Sequence, residues 1–183
     1  AVLCGDALIV LAFESLATAS INSPERLGPM IGVLARSSGM PTGICSGQGW
    51  ESEKTIDLRA YHKLKTASLF VAATQMGAIS AGEDPEPWTE LGTRIGEAFQ
   101  VADDLKDFAE TKASGKSNNR DAENDRPNAV LKLGEKGAIN RLQDILSGAI
   151  ASIPSCPGEV DLIKIVRKQA ERLTPVQPLQ KTL

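Results

Sequence analysis

PWTELGTRIGEAFQVADDLKDF, residues 87–108, is the stretch that decides how the rest of the chain reads. At 100° per residue, Leu91, Ile95, Ala98, Ala102 and Leu105 fall within about 40° of one line, the apolar stripe of a core-facing helix. Gly96, Gln100, Asp103, Asp104 and Asp107 gather on the opposite side, within roughly 60° of one direction. The segment therefore predicts a long helix with three carboxylates and an amide on the face turned away from its core stripe.

The helical pattern continues in both directions. Upstream, a helix is expected over Asp57–Ala81, stopped by Gly82-Glu83-Asp84-Pro85, and another over Pro41–Glu53, weakened by Gly43, Gly47 and Gly49. Before these, Ala1–Ala19 is apolar almost all round, Asn22-Ser23-Pro24 breaks it, and Pro24 or Pro29 opens a segment to Ser37. Downstream, the polar run ETKASGKSNNRDAENDRPN carries too few apolar residues to pack, so it reads as a loop. Lys136–Ile153 and Gly158–Leu173 close the chain as helices, with Pro154-Ser155-Cys156-Pro157 between them. No strand-like alternation persists anywhere, so the expected fold is all-α, a bundle of antiparallel helices forming a single domain over residues 1–183.

Composition narrows the function. Twenty Lys+Arg against 23 Asp+Glu give 183 residues a formal net charge of −3. That mild acidity argues against a nucleic-acid binder, and 42% apolar with 23% charged residues is an ordinary globular composition. Ala7–Phe13, the longest unbroken apolar run near the start, falls short of the ~20 residues that span a bilayer. No basic segment precedes it, so neither stable membrane insertion nor a signal peptide is expected. Cys4, Cys45 and Cys156 are scattered, which fits reduced thiols in a cytoplasm. Ala1 enters a helix with no capping residue before it, so the chain is expected to continue upstream in the complete protein.

Two features carry chemistry. Asp103 and Asp107 stand four apart on a helix, where like charges repel by a few tenths of a kcal/mol. They also lie near the helix C-terminus, where the macrodipole disfavours acids. A divalent cation removes both penalties, and Mg²⁺ takes one or two carboxylates and completes its shell with water and phosphate oxygens. The second feature is Lys65 in LKTASLFVAA (64–73), on a stripe with Leu58, Leu69, Ala72 and Met76. Its ammonium must reach solvent, pair with an acid, or face a cavity holding an anion. His62, one turn earlier, reads as a packing residue. Gly115-Lys116 and Arg120 add cations close in sequence to the acidic helix. A solvated acidic face and solvated loop cations are the plainer reading; taken together, acids that hold Mg²⁺ and lysines that hold phosphate would compose a magnesium–diphosphate clamp.

FQVADDLKD (99–107) resembles the second aspartate-rich motif, FQxxDDxxD, of the trans-isoprenyl diphosphate synthases. Lys65-Thr66 is similar to that family's KT pair, Gly47-Gln48 to its GQ, Gly5-Asp6 to its GD and Gly115-Lys116 to its GK. GDALIVLAFESLA, GQGWESEKTIDLRAYHKLKTASLF and DRPNAVLKLG look most like the bacterial geranylgeranyl diphosphate synthases of carotenoid and photosynthetic-pigment pathways. The resemblance covers essentially the whole chain. It implies an isoprenoid-synthase bundle around a central cavity, in which isopentenyl diphosphate condenses with an allylic diphosphate.

By that resemblance Asp103, Asp104 and Asp107 bind Mg²⁺, and Lys65 and Lys116 bind the allylic diphosphate. The Thr66 carbonyl and Gln100 turn dipoles towards a carbocation. Ala1–Ser37 corresponds to the helices of the family's homodimer interface. The family's first aspartate-rich motif, and its Lys, Arg and His ligands for isopentenyl diphosphate, are absent. They belong to a segment that would precede Ala1, about a third of a complete chain. In addition, Asp107 to Gly115 is slightly shorter than the family's usual spacing. SNNRD stands where a glycine-containing run is common, and Arg126 where lysine is common. The alternative is a non-catalytic subunit that pairs with a complete synthase; a terpene cyclase is disfavoured by the KT and FQxxDD pair.

Overall fold

The computed structural model describes residues 2–50, 63–114 and 128–173, and it divides into two compact units, Ala1–Gly96 and Glu97–Leu183. Among the described residues every regular element is helical.

The first unit opens with α1, Val2–Ala19, followed by a short 3₁₀ turn, Ser20–Asn22, and by α2, Pro24–Ser38, with Pro24 at its first turn. Pro suits that position because its fixed φ is helical and its missing N–H would have had no partner there. A short helix α3, Ile44–Gly49, comes next; it begins three residues after the expected Pro41, and the expected end at Glu53 lies outside the described residues. The chain is then described from Lys63, where a π-helical turn, Lys63–Ala67, leads into α4, Ser68–Ala81.

Gly82 ends α4 in the left-handed conformation (φ 83°), with its N–H bonded back to Ile79 and that of Glu83 to Ala78. The guanidinium of Arg26 adds a bond to the Ser80 carbonyl in the same last turn. Met30 and Val33 of α2 bury against Ala72 and Ile79 of α4, with Leu16 and Met76 packed beside them. A 3₁₀ turn, Glu86–Trp88, then opens α5, Thr89–Ser114, which runs past the expected end at Phe108. The first two turns of α5 lie against α4, with Gly92 at Val71 and Gly96 at Ala67; Cβ atoms there would stand 2.5 and 2.7 Å from the opposing Cα atoms.

The second unit pairs the rest of α5 with α6, Ala129–Ala151, and α7, Glu159–Leu173. Its core joins Ala98, Val101, Ala102 and Leu105 to Val130, Ala138, Leu142, Ile145 and Leu146. Ion pairs Glu97–Arg141 and Lys112–Glu135 (3.6 Å) bridge α5 and α6 at the surface. α6 begins seven residues before the expected Lys136. Asn128 caps it, accepting from the Val130 (2.9 Å) and Leu131 (3.1 Å) amides, and the chain kinks through Gly134 at φ 72°.

α1 presents its apolar residues at the surface of the chain. None of its residues is buried, and Val2 (78%) and Leu3 (83%) are largely exposed. Val2–Asn22 is long and apolar enough to cross a bilayer by length and composition. The unbroken run Ala7–Phe13 lies within that stretch, which is interrupted by Asp6 and Glu14 and by the polar residues Ser15, Thr18 and Ser20. In hydrocarbon each of those carboxylates would cost roughly 2.5–3.5 kcal/mol.

Candidate active site

The core stripe of α5 is as the helical wheel requires: Leu91, Ala98, Ala102 and Leu105 are buried and Ile95 is half-buried. Val101 is buried too, which widens the stripe towards the acidic face. Consequently the three aspartates are not equivalent. Asp103 and Asp107 are exposed, whereas Asp104 is only 8% accessible.

Asp104 is held from two sides. Its Oδ2 accepts from the backbone N–H of Ala129 at 2.7 Å, and its Oδ1 accepts from Gln100 Nε2 at 3.1 Å. With Asn128 taking the next two amides, side chains satisfy the first three N–H groups of α6. A carboxylate at that helix N-terminus also meets the positive end of the macrodipole. Sequence reasoning missed this role. The usable signal was Pro127-Asn128 before the run AVLKL (129–133), a capping residue that marks a helix start at 129.

Exposed Asp103 and Asp107 supply the hard oxygen donors that Mg²⁺ prefers, one helical turn apart. Among the described residues no three His, Cys, Asp or Glu side chains are grouped as an all-protein metal cage would require. That donor set suits a cation which takes most of its shell from water and phosphate oxygens.

In the first unit, Lys65 and Thr66 lie in the π-helical turn and are half-buried. The Ser68 hydroxyl is 2.8 Å from the Leu64 carbonyl and 3.4 Å from that of Thr42, tying the turn to the chain just before α3. π-Helical turns concentrate at functional positions, because the extra residue redirects side chains and loosens a carbonyl from the helical ladder. The stripe residues Ala72, Leu69 and Met76 are buried or half-buried as expected. Lys116, Gly115, Arg120 and Arg126, together with His62 and Leu58, lie outside the described residues.

The model of the family described as polyprenyl synthetase matches residues 1–163. The chain belongs to the polyprenyl synthetase family. Among polyprenyl synthetases it is 57% identical over 178 residues to the geranylgeranyl diphosphate synthase of Cereibacter sphaeroides, covering 97% of this chain and 62% of that protein. It is 52% identical over 177 residues to the geranylgeranyl diphosphate synthase of Rhodobacter capsulatus, covering 96% and 61%. The chain thus spans 61–62% of the length of these curated relatives. A solved geranyltransferase from Helicobacter pylori, complexed with magnesium and isoprenyl diphosphate, superposes with a TM-score of 0.67 at 26% identity, over 93% of this chain and 59% of that one. The fold is the all-α isoprenoid synthase fold. A non-catalytic partner subunit is not favoured, since the two relatives described above are named as synthases.

Proposed function

We propose that this polyprenyl synthetase condenses isopentenyl diphosphate with an allylic diphosphate, making geranylgeranyl diphosphate for carotenoid or photosynthetic-pigment synthesis. The 57% identity to a geranylgeranyl diphosphate synthase over 97% of the chain carries the reading. The acidic face of α5 supports it, with its exposed Asp103 and Asp107.

The residues present fit magnesium by the chemistry of their donors. Asp103 and Asp107 would hold it directly or through water. Asp104 adds negative charge beside them while its own oxygens serve α6 and Gln100. Bound magnesium neutralises diphosphate and makes it a better leaving group. Lys65 and Lys116 bind the allylic diphosphate by charge. As its C–O bond breaks, the Thr66 carbonyl and the Gln100 amide present dipoles to the allylic cation. The double bond of isopentenyl diphosphate attacks that cation, and the proton lost in forming the new double bond goes to the departing pyrophosphate.

The exposed apolar surface of α1 and the adjoining α2 serves a homodimer interface, which covers Val2, Leu3 and Leu8 without placing Asp6 and Glu14 in hydrocarbon. The free cysteines Cys4, Cys45 and Cys156 accord with work in the cytoplasm. Incubating the full-length protein with isopentenyl diphosphate, farnesyl diphosphate and Mg²⁺, followed by chromatography of the dephosphorylated product, tests the reading. A C20 alcohol is expected, and no elongated product from folded protein would overturn it.

A further inference from the structure

The π-helical turn that carries Lys65 and Thr66 is approached closely by the backbone of two helices at glycines. Gly47 of α3 is buried against it. A Cβ on Gly47 would stand 2.6 Å from the Lys65 nitrogen, 2.7 Å from its Cα and 3.0 Å from the Leu64 carbonyl carbon. All three neighbours are main-chain atoms, so no side chain can rotate away. At the end of the same turn, Gly96 of α5 meets Ala67, where a Cβ would lie 2.7 Å from its Cα and 3.0 Å from its Cβ. The Ser68 hydroxyl ties the turn to the Thr42 carbonyl, and the Gly47 amide bonds back to Gly43 at 3.1 Å, fixing the start of α3. Gly49, two residues beyond Gly47 on the same short helix, meets nothing within 4 Å and is exposed.

We propose that Gly47 is a positioning residue: its lack of a side chain sets the height of the Lys65–Thr66 turn, and through it the placement of the Lys65 ammonium and the Thr66 carbonyl. The inference rests on the reading of Lys65 and Thr66 as diphosphate-binding groups. Non-bonded carbons and nitrogens settle near 3.5–4.0 Å, so a methyl at position 47 displaces the turn on the order of 1 Å. Misplacement by 1 Å of groups that hold a substrate for reaction can cost about 100-fold in rate. Exposed Gly49 carries no such requirement, and an alanine there favours the helix slightly.

The test compares Gly47→Ala, Gly49→Ala, Lys65→Gln and Ile79→Ala in the full-length protein. Ile79 is buried near the far end of α4, so its truncation loosens packing without touching the turn. Kinetics are read well below every melting temperature, beside calorimetric binding of inorganic pyrophosphate with Mg²⁺ and hydrogen exchange of the amides of residues 63–67.

For Gly47→Ala, kcat/KM for the allylic diphosphate is expected to fall about 10- to 100-fold, with KM for isopentenyl diphosphate within twofold. Exchange in the turn should accelerate and pyrophosphate binding weaken. Gly49→Ala should match the parent. Ile79→Ala should lower the melting temperature with its allylic KM unchanged, which separates positioning from a general loss of stability. If Lys65→Gln raises the allylic KM while Gly47→Ala leaves it and the exchange pattern unchanged, Gly47 has no positioning role. If Lys65→Gln leaves allylic KM and pyrophosphate binding intact, the assignment of Lys65 itself is wrong. In that case exchange at residues 63–67 still decides whether Gly47 sets the turn.

Discussion

Replacing Asp104 by alanine should destabilise the protein far more than replacing its neighbour Asp103. The Asp104 carboxylate is buried and accepts from the Ala129 amide at 2.7 Å and from Gln100 at 3.1 Å. Hydrogen bonds to a charged group contribute about 1.5–3 kcal/mol, and a buried donor left without a partner costs about 1–3 kcal/mol. The favourable meeting of a carboxylate with a helix N-terminus adds roughly 0.3–1 kcal/mol. These overlap, because one N–H serves both, and a loss of about 2–4 kcal/mol is the reasonable sum for Asp104→Ala.

Exposed Asp103→Ala should change stability by no more than about 0.5 kcal/mol. Asp104→Asn should recover much of the loss. Its Oδ1 can still accept from Ala129, while Gln100 reverses its amide to accept from the new Nδ2. Urea unfolding followed by circular dichroism measures all three variants. Equal stability of Asp104→Ala and Asp103→Ala would refute the claim that Asp104 anchors α6, and would return it to the same standing as the exposed acids.

Two further outcomes follow from packing and from the surface. Leu142 has no exposed surface in the core between α5 and α6, so Leu142→Ala should cost about 2–5 kcal/mol in the same unfolding experiment; a loss under about 1 kcal/mol would mean that the core is not packed as described. Leu3→Glu with Leu8→Glu should shift the protein from dimer to monomer in analytical ultracentrifugation without lowering its helix content, since both side chains are exposed on α1. An unchanged dimer would place the interface elsewhere.

The helices were legible where a single segment carried its own pattern. The stripe of Ala98, Ala102 and Leu105 identifies the buried face of α5 because the 3.6-residue period is local and the core it meets is simply apolar. Gly82 and Pro85 mark the end of α4 because a left-handed residue and a proline stop helices by their own backbone chemistry.

What depends on a partner distant in sequence was not legible. Asp104 lies on the wheel with the solvent-facing acids, and its burial follows from the amide of Ala129, 25 residues on. The start of α6 was placed too late, at Lys136, whereas Asn128 caps its true start and the helix bends through Gly134 at positive φ. The π-helical turn at Lys63–Ala67 was not read from the sequence, since five residues are too few for a change of helical period to stand out. The resemblance singled out Lys65-Thr66, Gln100 and the aspartates. The structure adds their setting: a turn pressed against Gly47, and Asp104 tied to the start of the next helix.

The most direct measurement is the steady-state rate of prenyl elongation by the full-length protein against Mg²⁺ concentration, for the parent and for Asp103→Ala. The parent should be inactive after chelation and recover fully when Mg²⁺ is restored, and Asp103→Ala should lose activity by at least about 100-fold at saturating Mg²⁺, while remaining as stable as the parent. Elongation by Asp103→Ala at the parental rate, with the parental Mg²⁺ requirement, would contradict the assignment of the α5 acidic face as the metal-binding side of the site.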